Sequence, residues 1–93
     1  MFESYQNSLT KLKESIPNNY ILKEQLENKI NYCIEDMVYK PPELLPESFI
    51  FYCNLIIPYL PEQKEENNWV VEPWENIHRV AKDNNEIFRN SFN

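Results

Sequence analysis

The chain contains no glycine in its 93 residues, and that absence removes more folds and activities than any motif present adds. Glycine supplies most backbone positions of positive φ, the two-residue turns of β-hairpins and the close backbone approach that cradles phosphate. A P-loop, a dinucleotide fingerprint and a nucleophile elbow each need glycines at fixed places, so all three are excluded. Only asparagine, present 13 times, stands in for glycine in tight turns. The order of the chain must instead be read from apolar spacing and from the seven prolines.

Phe2, Tyr5, Leu9, Leu12 and Ile16 are spaced three, four, three and four residues apart, which draws one stripe along a helix. The spacing predicts a first helix ending near Ser15, because Pro17 pushes Ile16 out of the α region. Asn18 and Asn19 then offer a turn and an N-cap for a second helix over about Asn19 to Tyr39. Its stripe is Leu22, Leu26, Ile30, Cys33, Ile34 and Met37, with Lys23, Glu24, Glu27 and Lys29 outside, and it stops at Pro41 and Pro42. A short link between two such helices favours an antiparallel hairpin.

Within PPELLP, residues 41–46, Pro46 suits the first position of a third helix, where its missing N–H would have had no partner. Residues 49–60, FIFYCNLIIPYL, then hold a single strongly polar side chain, Asn54. Their β-branched and aromatic content also suits a strand at 49–53, with 69–71 as a partner, but two isolated short strands are marginal without a sheet. The preferred reading is a helix that Pro58 ends or kinks. A helix so apolar is either central and buried, or it leaves part of its face as a binding or oligomer surface.

Residues 61–72, PEQKEENNWVVE, read as a loop, polar at first and abruptly apolar at Trp69, Val70 and Val71. Pro73 repeats the logic of Pro46 at the start of a last helix, with Trp74, Ile77, Ala81 and Phe88 as its apolar face. The stretch DNNE at 83–86 weakens that helix and marks a place for a break, since Asp and Asn favour caps over helix interiors. The expected fold is all-α: a single domain over 1–93, a small bundle of three to four antiparallel helices with proline-marked loops. A content of 42% hydrophobic residues is enough to order such a chain.

Charge is informative by region. Residues 1–40 carry six acids and five bases, residues 41–75 seven acids and one base, and residues 76–93 two acids and three bases. The whole net charge of −6 therefore resides in the middle of the chain, which also holds both tryptophans. An acidic field edged with aromatics fits a basic protein partner and argues against direct nucleic-acid binding, which needs Lys and Arg on phosphate. No apolar run reaches the roughly 18 to 20 residues that span a bilayer, and the first residues show neither a basic leader nor an apolar h-region. The expectation is a cytoplasmic protein that does not enter the membrane.

Catalytic chemistry finds little support. Glu75 and His78 fall side by side at helical spacing and Asp83 lies five residues on, but no serine or cysteine nucleophile is placed to partner them. As metal ligands they are two at most, short of the three or four that zinc uses. Cys33 and Cys53 lie on apolar stripes without CxxC spacing and read as reduced, buried small hydrophobes. No enzyme activity, cofactor or metal is expected.

The functional expectation is a small acidic protein-binding module that masks or inhibits a basic partner. Immunity proteins and phage inhibitors of nucleases or nucleic-acid-binding proteins act in this way; the analogy is one of size, charge and class, not of motif. Its surface is expected in residues 43–75, with Glu62, Glu65, Glu66, Glu72 and Glu75 as attracting charges and Trp69 and Trp74 as candidate anchors, of which Trp74 is the better candidate for the core. The alternative is a structural or adaptor subunit that forms homo-oligomers through its apolar third helix.

Overall fold

The computed structural model describes residues 2–62 and 64–92, with side chains over 3–62 and 64–83. It contains four α-helices and, among the described residues, no strand. They are α1 (Phe2–Ser15), α2 (Lys23–Tyr39), α3 (Leu45–Ile56) and α4 (Asn68–Phe92). Each helix packs on the next in sequence, and α4 closes the ring by packing on α1. The C-terminal end of α1, at Glu14 and Ser15, lies beside the start of α4, at Asn68 and Trp69, while Ser4 and Ser8 lie beside Arg79. This pair is therefore antiparallel, and the molecule is an all-α bundle as the stripes predict.

One spacing builds the core. The buried residues are Tyr5, Leu9 and Leu12 on α1 with Ile16 directly after its end, Leu26, Ile30, Cys33 and Met37 on α2, and Val70, Trp74, Ile77 and Ala81 on α4. In all three sets the steps are four, three and four, the seam that lets antiparallel helices interlock side chains along their length. On α3 the buried set is Phe49, Tyr52, Cys53 and Ile56. That set is more closely spaced and covers a wider arc, as expected of the most apolar helix.

The strand alternative for 49–53 and 69–71 is not taken, since both segments are helical. The third helix begins one residue earlier than expected, with Pro46 in its second position, after a 3₁₀ turn over Pro42–Leu44. Its α-helical hydrogen bonding ends at Ile56, and Pro58 lies in the 3₁₀ turn Ile57–Tyr59. Phe51 and Ile57, 54% and 50% exposed, remain outside the core, so the apolar third helix is partly core and partly surface.

Two further boundaries depart from the sequence reading. The second helix starts at Lys23, not Asn19, and its N-cap position is Leu22, with no side-chain cap from Asn18 or Asn19. Residues 17–23 form successive turns instead, with the Tyr20 and Lys23 amides donating to the carbonyls of Pro17 and Tyr20 (both 3.1 Å). The reason is tertiary: the Tyr20 hydroxyl donates to the Tyr59 carbonyl (2.6 Å), and its ring meets Trp69 edge-on at 5.2 Å. A helix begun at Asn19 would carry the ring elsewhere.

The second departure is larger. Residues 68–72 are the first turns of α4 and not a loop, and Pro73 lies inside the helix, not at its start. An interior proline costs about 3 kcal/mol and removes the donor to the carbonyl four residues back, here Trp69. Burying Val70 in register with Trp74 and Ile77 offsets most of that, at about 1.5–3 kcal/mol for a fully buried aliphatic side chain. Partial burial of Trp69 and Val71 against the core adds to it. The helix also runs through 83–86 without a break. The side chains of Phe2 and Phe88, assigned to apolar stripes, lie outside the described residues.

The buried Tyr5 hydroxyl finds partners in the interior. Tyr5 is wholly buried, its ring stacked on Phe49 with centroids 4.2 Å apart, its hydroxyl donating to the Phe49 carbonyl (3.0 Å) and lying 3.5 Å from Cys53 Sγ. Burial pushes the Cys33 thiol up to about 12 and raises that of Cys53 as well. Both cysteines are free, buried and protonated at neutral pH.

Candidate functional site

The start of α4 carries the residues singled out in the sequence. Asn68, Trp69, Glu72, Pro73 and Asn76 form one wall of a cleft of about 400 Å³, and Lys11, Glu14 and Ser15 of α1 form the other. Trp69 is half-buried, braced edge-on by Tyr20, so its ring is held in one place while one side stays open. A held aromatic with an open face has little side-chain entropy left to lose on binding. Glu72 stands one turn along the helix on the same wall.

The remaining sequence candidates separate. Trp74 is only 8% exposed and belongs to the core between Val70 and Ile77, so it is no surface anchor. Glu62, Glu65, Glu66 and Glu75 are exposed, but none lines the cleft. The Glu62 carboxylate meets Lys64 Nζ at 2.7 Å, and its carbonyl accepts from Asn67 Nδ2 (2.9 Å), which ties Glu62 to Lys64 and Asn67. Glu65 and Glu66 occupy the 3₁₀ turn Glu65–Asn67, immediately before the positive end of α4. Carboxylates there stabilise the helix start as well as projecting a field outward. Glu75, His78 and Asp83 are all exposed, and no hydrogen bond or ion pair joins them. Among the described residues no three His, Cys, Asp or Glu side chains are grouped to hold a metal ion.

The α1 contribution was invisible in the sequence. Beyond Lys11 and Asn76 the groove continues into a second hollow of about 320 Å³, bordered by Ser4, Asn7, Ser8 and Arg79. Arg79 Nη2 donates to Asn76 Oδ1 (2.7 Å), which lays the guanidinium along the groove. The groove is thus acidic and aromatic at the start of α4 and basic two turns further on. Lys11 and Arg79 gave no signal because they are more than sixty residues apart and meet only when α1 and α4 pair.

No helix among the described residues is long and apolar enough to cross a membrane. Comparison with protein-family models, curated proteins and solved structures finds no match for this chain.

Proposed function

We propose that the protein is a non-enzymatic binding module that masks or inhibits a basic partner protein through the start of α4. One observation carries the reading: the half-buried Trp69 and Glu72, from the part of the chain that holds the net negative charge, border an open cleft with Lys11 and Glu14 of α1. The exposed carboxylates of Glu62, Glu65, Glu66 and Glu75 steer a basic surface towards that cleft and set its orientation, and the tryptophan supplies buried contact area. A nuclease or another nucleic-acid-binding protein is the class of target with such a surface.

The test uses the partner captured from the native host. Combining Trp69→Ala with Glu65→Lys and Glu66→Lys is expected to abolish measurable affinity in a protein whose circular dichroism is unchanged, and affinity for the unaltered protein is expected to fall steeply from low to high salt. An undiminished affinity in the triple variant would remove the cleft from consideration.

A second reading has its own support. Phe51 and Ile57 on the α3 side are half exposed, an apolar surface suited to a second copy or a larger assembly. Assembly through that surface responds little to salt and strongly to Phe51→Asp, which light scattering would register.

A further inference from the structure

The outer face of α2 near its C-terminus combines four features. Tyr32, Glu35, Asp36 and Tyr39 border a hollow of about 260 Å³. Both rings are exposed, Tyr39 at 87% and Tyr32 at 50%. Along the helix they stand on either side of the carboxylates, about 10 Å of axial rise apart at 1.5 Å per residue. The Glu35 side chain makes no hydrogen bond or ion pair with any described residue.

Lys40 apart, the electrostatics of the face favours a cation. The last turn of α2 holds no basic residue, so the negative end of its dipole is not offset from within the helix. Asp36 is held from behind, where Tyr52 of α3 donates to Oδ2 at 2.5 Å, and the carboxylate is thereby fixed in orientation. The Lys40 ammonium approaches Asp36 Oδ2 but stops at 3.8 Å, a loose contact. It marks where positive charge is drawn without satisfying Glu35.

We propose that this α2 face receives an arginine side chain of a partner protein, the guanidinium spanning the Glu35 and Asp36 carboxylates and stacking on Tyr39, the more exposed of the two rings. Arginine fits better than lysine because its planar fork donates to carboxylates in pairs and lies flat on an aromatic ring, while an ammonium does neither. In the bundle, α2 and α4 are not sequence neighbours but stand across the ring from each other, so this receptor is separate from the Trp69 cleft and stands or falls without it.

The probe is a short blocked peptide, acetyl-Gly-Arg-Gly-amide, titrated into the full chain and followed by amide and tyrosine-ring NMR shifts. Controls carry lysine or the uncharged isostere citrulline in place of arginine. Shifts are expected to centre on residues 32–40, to be weaker with lysine and to be absent with citrulline. Tyr39→Ala is expected to weaken binding about two- to fivefold, the worth of one exposed cation–π contact, while Tyr39→Phe retains it. Glu35→Gln is expected to weaken it further. Lys40→Gln is expected to tighten binding, because the competing ammonium is gone, an effect that a merely structural role for this face does not produce. Trp69→Ala is expected to leave the titration unchanged. Shifts centred on the Trp69 cleft, equal binding of citrulline, or a folded Tyr39→Ala protein with unaltered affinity would each overturn the proposal.

Discussion

The regions around Tyr5 and Trp69 use aromatic rings in opposite ways. Tyr5 lies flat on Phe49, with no exposed surface and its hydroxyl satisfied by a helix carbonyl. Trp69 meets Tyr20 edge-on, keeps one side open and borders charged side chains from two helices. The first arrangement gains everything it can from the chain itself. The second leaves contact area unused, and an aromatic that is held in place but incompletely covered is what distinguishes a surface for recognition from a core.

The contrast breaks most visibly at Tyr5. Truncation to alanine removes a stacked ring from a packed interior and is expected to cost about 3–5 kcal/mol of unfolding free energy, read from urea melts. Tyr5→Phe keeps the ring and loses only the hydroxyl, at about 1 kcal/mol. Neither change should alter partner affinity in protein that remains folded. Trp69→Ala is expected to invert the pattern: a smaller loss of stability, and about 2 kcal/mol of affinity, roughly thirtyfold. If Trp69→Ala proves as damaging to folding as Tyr5→Ala and neutral in binding, the two regions are both core and the comparison collapses.

The cysteines sharpen the comparison from the core side. Burial holds the Cys33 proton, pushing the group up to about 12 from its ordinary 9.0. The folded protein keeps a proton that the unfolded chain releases, so this contribution is complete below pH 9 and is lost as pH rises from 9 towards 12. Cys53 and Tyr52, also raised mainly by burial, act in the same direction. Stability is therefore expected to be level from neutral pH to about 9 and to fall above it. Cys33→Ala should make the alkaline fall shallower while costing about 1 kcal/mol at neutral pH, the scale of a deleted methylene-sized group. Cys33→Ala with Cys53→Ala should leave binding intact; lost binding in the folded double variant would give the thiols a function that burial does not explain.

The stripes of α1 and α2 were legible because helical spacing is a local property, and Tyr5, Leu9 and Leu12 on α1 and Ile16 just beyond it, at four-three-four spacing, are all buried. What escaped the sequence was set by distant contacts. The start of α2 depends on Tyr20 reaching Tyr59 and Trp69. Val70 belongs to the α4 stripe four residues before Trp74, but Pro73 between them reads as a helix start. Of the candidate site, Trp69 and Glu72 were visible as types and the α1 wall was not, because Glu14 and Lys11 acquire meaning only opposite α4.

Pro73 gives the effect whose sign is decisive. At a helix start, proline is preorganised and its missing N–H costs nothing, so replacement by alanine would only enlarge the unfolded ensemble and lower stability by about 0.4–1 kcal/mol. Inside α4 the same replacement restores a donor to the Trp69 carbonyl and removes the ring's clash with it. Those gains exceed the entropic loss, and Pro73→Ala is expected to stabilise the protein by about 2 kcal/mol net of the unfolded-state term. A rise in melting temperature places residues 68–72 on the helix, which is the condition for Trp69 and Glu72 to share one wall of the cleft. A fall would return Trp69 to a loop, and the difference between its region and that of Tyr5 would then be one of order, not of exposure.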